Sequence, residues 1–117
     1  MSARRIPYPG QRVRGSTTGR PVMALFDLLG RRWALRVIWE LRDGRRLNFR
    51  DLLAASGTSP GVLNTRLAEL RDTGLVDHEP DAGYGLTPMG AELLARLLPV
   101  ADWAKHWHNF LKNGTKS

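Results

Sequence analysis

Two hydroxyl-proline pairs, Ser59-Pro60 and Thr87-Pro88, constrain this chain more than any other feature of its sequence. A Ser or Thr hydroxyl accepts a hydrogen bond from an unpaired N–H of a helix's first turn, and proline at the first helical position gives up an N–H that has no helical partner. Each pair therefore marks a helix start. Between them, Gly74 must close the first helix, because glycine enters the left-handed C-cap conformation without strain. Leu75–Glu79 and Tyr84–Thr87 then show strand-like alternation on either side of the turn-forming Pro80-Asp81-Ala82-Gly83, which predicts a β-hairpin.

Apolar spacing places the remaining helices. Val22, Leu25, Phe26, Leu28 and Leu29 predict a short helix from Pro21 that Gly30 ends. In Arg31–Arg42, the apolar residues Trp33, Leu35, Val37, Ile38, Trp39 and Leu41 wrap widely around a helix, which makes this segment central; Asp43-Gly44 stops it. Asn48 is a fitting N-cap for a third helix, Phe49–Ala55, with Phe49, Leu52 and Leu53 at helical spacing. Ser56-Gly57-Thr58 separates it from the Ser59–Thr73 helix, whose stripe is Leu63, Leu67 and Leu70. The helix launched at Thr87-Pro88 runs through Leu93, Leu94, Leu97 and Leu98 to Pro99, where a kink or a fresh helix to about Leu111 is predicted, since proline removes a helical hydrogen bond.

The predicted fold is mainly α with a small β-hairpin (α+β), in the order of a winged helix-turn-helix. Residues 1–20 read as a flexible basic arm, 21–112 as the domain, and 113–117 as a disordered tail. A length of 117 residues with 42% hydrophobic content suits one domain with a modest core.

Charge points to a polyanionic partner. The 18 basic residues outnumber 11 acids, for a net charge of +7, and neutralising phosphates releases condensed counterions. Arg4, Arg5, Arg12, Arg14 and Arg20 lie in an arm without acids, whereas Asp77–Glu92 contains no Lys or Arg. Only Lys105, Lys112 and Lys116 are lysines; guanidinium suits bidentate contact with phosphates and guanine edges, although a GC-rich genome would enrich arginine equally. The absence of cysteine excludes disulfides, thiol redox sensing and thiolate zinc sites. With neither a membrane-length apolar run nor a signal-peptide pattern, the expectation is a soluble cytoplasmic protein.

In a helix-turn-helix, the second helix brings its N-terminal turn to the major groove, where small polar groups and free backbone N–H groups suit phosphates and base edges. Ser59, Gly61, Asn64, Thr65 and Arg66 fit that need: Gly61 permits close approach, and Asn64 or Arg66 offers bidentate hydrogen bonding. The competing reading is an ordinary amphipathic helix whose polar face meets water. Arg31 and Arg32, at a helix start where the dipole gives them nothing, are candidate phosphate contacts, as are, less firmly, Arg45, Arg46 and Arg50. Pairing within the chain with Asp27, Glu40, Asp43 or Asp51 is the alternative for these arginines.

Four stretches resemble the HxlR-type winged-helix regulators, relatives of the MarR group, over roughly residues 21–108. They are Leu28-Leu29-Gly30-Arg31-Arg32-Trp33; Phe49-Arg50-Asp51-Leu52; Leu63 to Leu70 followed by Gly74-Leu75-Val76; and Tyr84 to Gly90. Leu98-Pro99-Val100 with Trp103 and Trp107 is similar to that family's C-terminal helix. The resemblance implies a homodimeric repressor or activator with the Ser59 helix in the major groove, the hairpin as wing, and the terminal helices at the dimer interface. It departs from the family's pattern in lacking an N-terminal cysteine and in an acidic wing, whose Asp77, Glu79 and Asp81 phosphates would repel. Arg4, Arg5, Arg12 and Arg14 of the arm would compensate by reaching a minor groove.

Val100, Trp103, Trp107, Phe110 and Leu111 follow helical spacing near the chain end, where little core remains to bury them, so a partner chain is the expected cover; packing against the first helix is the alternative. Trp33 and Trp39 read as core, with an effector pocket as the other option. His106 and His108 are two apart on a helix and diverge by about 200°, which is poor geometry for a shared metal. No catalytic set or phosphate-cradling loop is present, so the expectation is a non-enzyme without metal or cofactor. The predicted function is sequence-specific binding of double-stranded DNA by a homodimeric transcriptional regulator, a repressor at a pseudo-palindromic operator, with a small-molecule effector as a further partner and no membrane. The alternative is a winged-helix protein–protein interaction module without sequence-specific DNA binding.

Overall fold

The computed structural model describes Pro9 and residues 20–113. Five helices and one hairpin follow in the order α1 (Pro21–Leu29), α2 (Ala34–Glu40), α3 (Phe49–Ser56), α4 (Pro60–Asp72), β1 (Val76–Glu79), β2 (Gly83–Leu86) and α5 (Pro88–Asn113). The three expected caps are formed by their own side chains. Asn48 Oδ1 accepts from Asp51 N at 2.8 Å, Ser59 Oγ from Val62 N at 3.3 Å and Thr87 Oγ1 from Gly90 N at 3.0 Å. Gly74 ends α4 at φ +80°.

One face of each helix converges on a single core. Leu28 of α1 meets Val37, Ile38 and Leu41 from α2 and its C-cap, Leu52 of α3, Leu63, Leu67 and Leu70 of α4, and Leu75 and Val76 at the start of the hairpin. This stripe packing, more than helix propensity, is what holds short helices of seven to thirteen residues in place. The strands pair antiparallel with Val76 opposite Leu86, Asp77 opposite Gly85, His78 opposite Tyr84 and Glu79 opposite Gly83. Leu47 adds an antiparallel bridge to Tyr84, with N···O distances of 3.0 and 2.8 Å. Gly83, at φ +90°, is required there, because a Cβ would lie 2.5 Å from the Leu47 carbonyl oxygen. The result is a winged helix-turn-helix, with α3 and α4 as its helix pair and β1–β2 as its wing.

Two helix expectations need correction. The helix expected over Arg31–Arg42 spans only Ala34–Glu40, since Trp33 sits in the left-handed region at φ +74° and breaks the run before it. A bulky residue there costs about 1–3 kcal/mol, sustained by the surrounding packing. Gly30 ends α1 as expected, in right-handed conformation at φ −76°, and Trp33 makes the left-handed turn between α1 and α2. Finally, α5 continues as one helix through Pro99 to Asn113, so no fresh helix begins at the proline. Ala95 and Pro99 are both exposed, which leaves water to satisfy the carbonyl that proline deprives of its donor.

Candidate nucleic-acid interface

The start of α4 stands clear of the core. Its buried stripe of Leu63, Leu67 and Leu70 leaves Gly61 and Asn64 exposed, with Thr65 half-buried beside them. Thr65 Oγ1 donates to the Gly61 carbonyl at 3.0 Å, which turns this hydroxyl back onto its own helix. A Cβ on Gly61 would meet nothing within 4 Å, so nothing inside the chain calls for glycine at this position. Ser59 contributes as the cap of α4, and Pro60 at N1 keeps the first turn open.

Arg66 lies on a different flank. Two positions beyond Asn64, it is rotated by about 200° around the helix. Its Nε faces Glu69 Oε1 at 3.2 Å, outside hydrogen-bond alignment, and its Nη1 donates at 3.5 Å to the Arg32 carbonyl. Only 17% of its side chain is exposed. Arg66, expected among the base- or backbone-contacting residues of this helix, thus lies partly buried between Glu69 and the α1–α2 turn.

The candidate phosphate contacts divide in the same way. Arg31 turns inward, pairing through Nη1 with Glu69 at 2.7 Å and through Nη2 with Asp27 at 3.1 Å. Asp27 was among the internal partners weighed from sequence; Glu69, 38 positions away, was not. Arg46 is also internal, donating to Asp77 Oδ1 at 2.6 Å and to the Gly83 carbonyl at 2.9 Å, with Glu79 at 3.6 Å. Arg32 and Arg50 are exposed, and no carboxylate among the described residues pairs with either. Arg45, at the end of the α2–α3 loop, and Arg71, on the outer side of α4, are exposed in the same manner.

The wing's chemistry follows from its register. Alternation puts Asp77 and Glu79 on one face, and Gly85 opposite Asp77 has no side chain, so the Arg46 stem lies across the strand there. A Cβ on Gly85 would lie 2.8 Å from Arg46 Cζ. The acidic wing foreseen from composition is thus partly neutralised from within, one guanidinium facing Asp77 and Glu79, with Asp81 at its exposed tip. His78 and Tyr84, paired across the strands, hold their rings 4.5 Å apart.

The far half of α5 leaves the domain altogether. Every residue from Leu98 to Asn113 is exposed, including Val100, Trp103, Trp107 and Phe110 at 50–59%. The rings of Trp103 and Trp107 stack 5.9 Å apart, an apolar ridge that none of the described residues covers. Neither does packing against α1 take it up, since Val22 and Phe26 of α1 are exposed as well. Arg4, Arg5, Arg12 and Arg14 lie outside the described residues. No helix among the described residues is long and apolar enough to cross a membrane.

Known proteins share this arrangement. The HxlR-like helix-turn-helix family matches residues 28–111. The HTH-type transcriptional regulator YvaP of Bacillus subtilis is 32% identical over 88 residues, covering 69% of this chain and 81% of YvaP. A second such regulator, sll1512 of Synechocystis, is 29% identical over 93 residues, 74% of this chain and 69% of its own length. Among solved structures, quinone-bound YodB from B. subtilis superposes with a TM-score of 0.67 at 30% identity, over 73% of this chain and 96% of that one. With its helix pair and wing in place and most of its length matched, the chain belongs to the HxlR-like helix-turn-helix family of DNA-binding transcriptional regulators.

Proposed function

We propose that the chain is a cytoplasmic homodimeric repressor that reads a pseudo-palindromic operator, with the first turns of α4 in the major groove. The observation that carries this reading is the open N-terminal turn of α4, where Gly61 and Asn64 project into solvent and an unneeded glycine leaves room for a duplex. Arg50, at the start of α3, together with Arg45 and Arg71, supplies phosphate contacts, and the arm's Arg4, Arg5, Arg12 and Arg14 add further positive charge. The exposed ridge of Val100, Trp103, Trp107 and Phe110 is the dimer contact that presents two α4 helices to two half-sites.

Selection of bound sequences from a random duplex pool at physiological salt tests the reading. An enriched inverted repeat is the expected result, and recovery of unselected sequence would sink it. Repression is checked with a promoter carrying the selected site, whose transcription should rise when the protein is removed.

Asn64→Ala should weaken operator binding by about tenfold and relax the preference at one base pair in each half-site, as read by anisotropy on single-substitution operators. An unaltered base profile would remove Asn64 from the reading set. Arg46→Met should lower affinity by about fivefold, because Asp77 and Glu79 then face phosphates uncompensated. Adding Asp77→Asn should recover most of that loss; no recovery would mean that Arg46 acts through hairpin stability, which the melting temperature reports separately.

A further inference from the structure

Gly61 occupies the middle of the α4 face that the proposed function turns toward DNA. Residues of a helix advance by about 100° each, so Asn64 lies about 60° to one side of Gly61 and Thr65 about 40° to the other. Gly61 and Asn64 are exposed, and Thr65 is half-buried. Because helical side chains tilt toward the N-terminus, Thr65 extends over the turn that contains Gly61. There even a Cβ would meet nothing within 4 Å, so the glycine leaves the space beside the threonine open.

What Thr65 can offer a base is narrowed by its own hydrogen bond. Its Oγ1 donates its single proton to the Gly61 carbonyl at 3.0 Å, so this hydroxyl is spent as a donor. The oxygen is drawn back onto the helix backbone, and the γ-methyl is the group left for a partner. In the major groove one base edge carries an apolar group, the 5-methyl of thymine, and a threonine methyl is among the contacts that match it. Resting on the reading of α4 as the major-groove helix, we propose that Thr65 is a specificity-determining residue that recognises a thymine through methyl–methyl contact, on the opposite side of Gly61 from Asn64. The other chemistry open to Thr65 is acceptance by its oxygen from the amino group of adenine or cytosine. That contact needs the hydroxyl and not the methyl, so the two are separable by substitution.

The test uses the full-length protein and the duplex selected from the random pool, with each thymine of a half-site replaced in turn by uracil, together with its symmetry mate. Uracil keeps every hydrogen-bonding group of thymine and lacks only the methyl. Burying one methyl changes affinity by about fourfold, so uracil at the position read by Thr65 should weaken binding about fifteenfold over two half-sites. Thr65→Ser, which keeps the hydroxyl and loses the methyl, should bind the thymine duplex about as weakly as the parent binds the uracil one, and should no longer distinguish them. Thr65→Val, which keeps the shape and loses the hydroxyl, should discriminate as the parent does. Indifference of the parent to uracil at every position overturns the assignment, as does full discrimination by Thr65→Ser. Loss of discrimination in Thr65→Val also overturns it and gives the contact to the hydroxyl. Failure to select any sequence defeats the operator reading itself and this assignment with it, whereas a selected duplex bound equally with uracil defeats the assignment alone.

Discussion

Trp103→Ser combined with Trp107→Ser is expected to convert the protein to a monomer in light scattering and to remove most of its operator affinity. Both rings are about half exposed and, among the described residues, stack on one another, so their loss leaves the protomer core intact. At a dimer interface, buried tryptophans are typical hot spots worth about 2 kcal/mol or more each. Two per chain should therefore raise the dimer dissociation constant by about a thousandfold or more. DNA affinity falls with it, because a single α4 engages one half-site and forfeits the second. Circular dichroism and melting of the variant should stay close to those of a concentration-diluted parent. A parent that is monomeric at micromolar concentration would reject the dimer outright.

Gly90→Ala should be the most damaging conservative change inside the protomer. Gly90 is in the first turn of α5, buried against the end of α4, and a Cβ there would fall on the Leu75 carbonyl oxygen and within 3.0 Å of its carbon. Both groups are backbone, so no rotamer change relieves the clash. The junction is also tied by hydrogen bonds, with Thr87 N donating to Leu75 O at 3.1 Å and Thr87 Oγ1 to Gly74 O at 2.6 Å. Moving α5 away would therefore break its N-cap connection to α4. Overpacking of this kind costs about 3 kcal/mol or more, and a domain of this size should lose about 10 °C or more in melting temperature. Gly61→Ala provides the contrast. With open space around that position, it should leave stability unchanged or raise it by about 0.5–1 kcal/mol through helix propensity, while weakening DNA binding. A Gly90→Ala protein that melts with the parent would show that α5 can shift freely on Leu75.

Much of the fold was legible because its signals are local. Ser59, Thr87 and Asn48 each bond an N–H three residues on, so cap and helix are specified within a single turn. The hairpin register likewise follows from a turn flanked by two alternating segments. Trp33 was not legible. A left-handed tryptophan opposes its own propensity, and the run from Arg31 to Arg42 looks helical throughout. At Pro99 the sequence left a kink and a fresh helix both open, and the helix runs on, since whether a proline ends a helix depends on where its orphaned carbonyl turns.

The placement of the candidate site residues was legible only in part. Gly61 and Asn64 face outward as helical periodicity required, and the apolar ridge from Val100 to Phe110 is as exposed as its place near the chain end implied. The sequence leaves Arg31 and Arg46 open between an external phosphate and an acid of the chain, and sets Arg66 among the contacts of the reading helix; each faces an acid within the chain. Two of those partnerships span 38 and 31 positions, so no local pattern announces them.

By itself, then, the sequence determined where helices start and stop, which faces are apolar, and the order that makes a helix-turn-helix with a wing, because caps, prolines and periodicity act within one or two turns. Only the tertiary structure decided which arginines are spoken for. A guanidinium group pairs with whichever carboxylate the fold brings within reach in a partly desolvated place, and at Glu69 and Asp77 that proximity is created by packing α4 and the wing against segments more than thirty residues earlier.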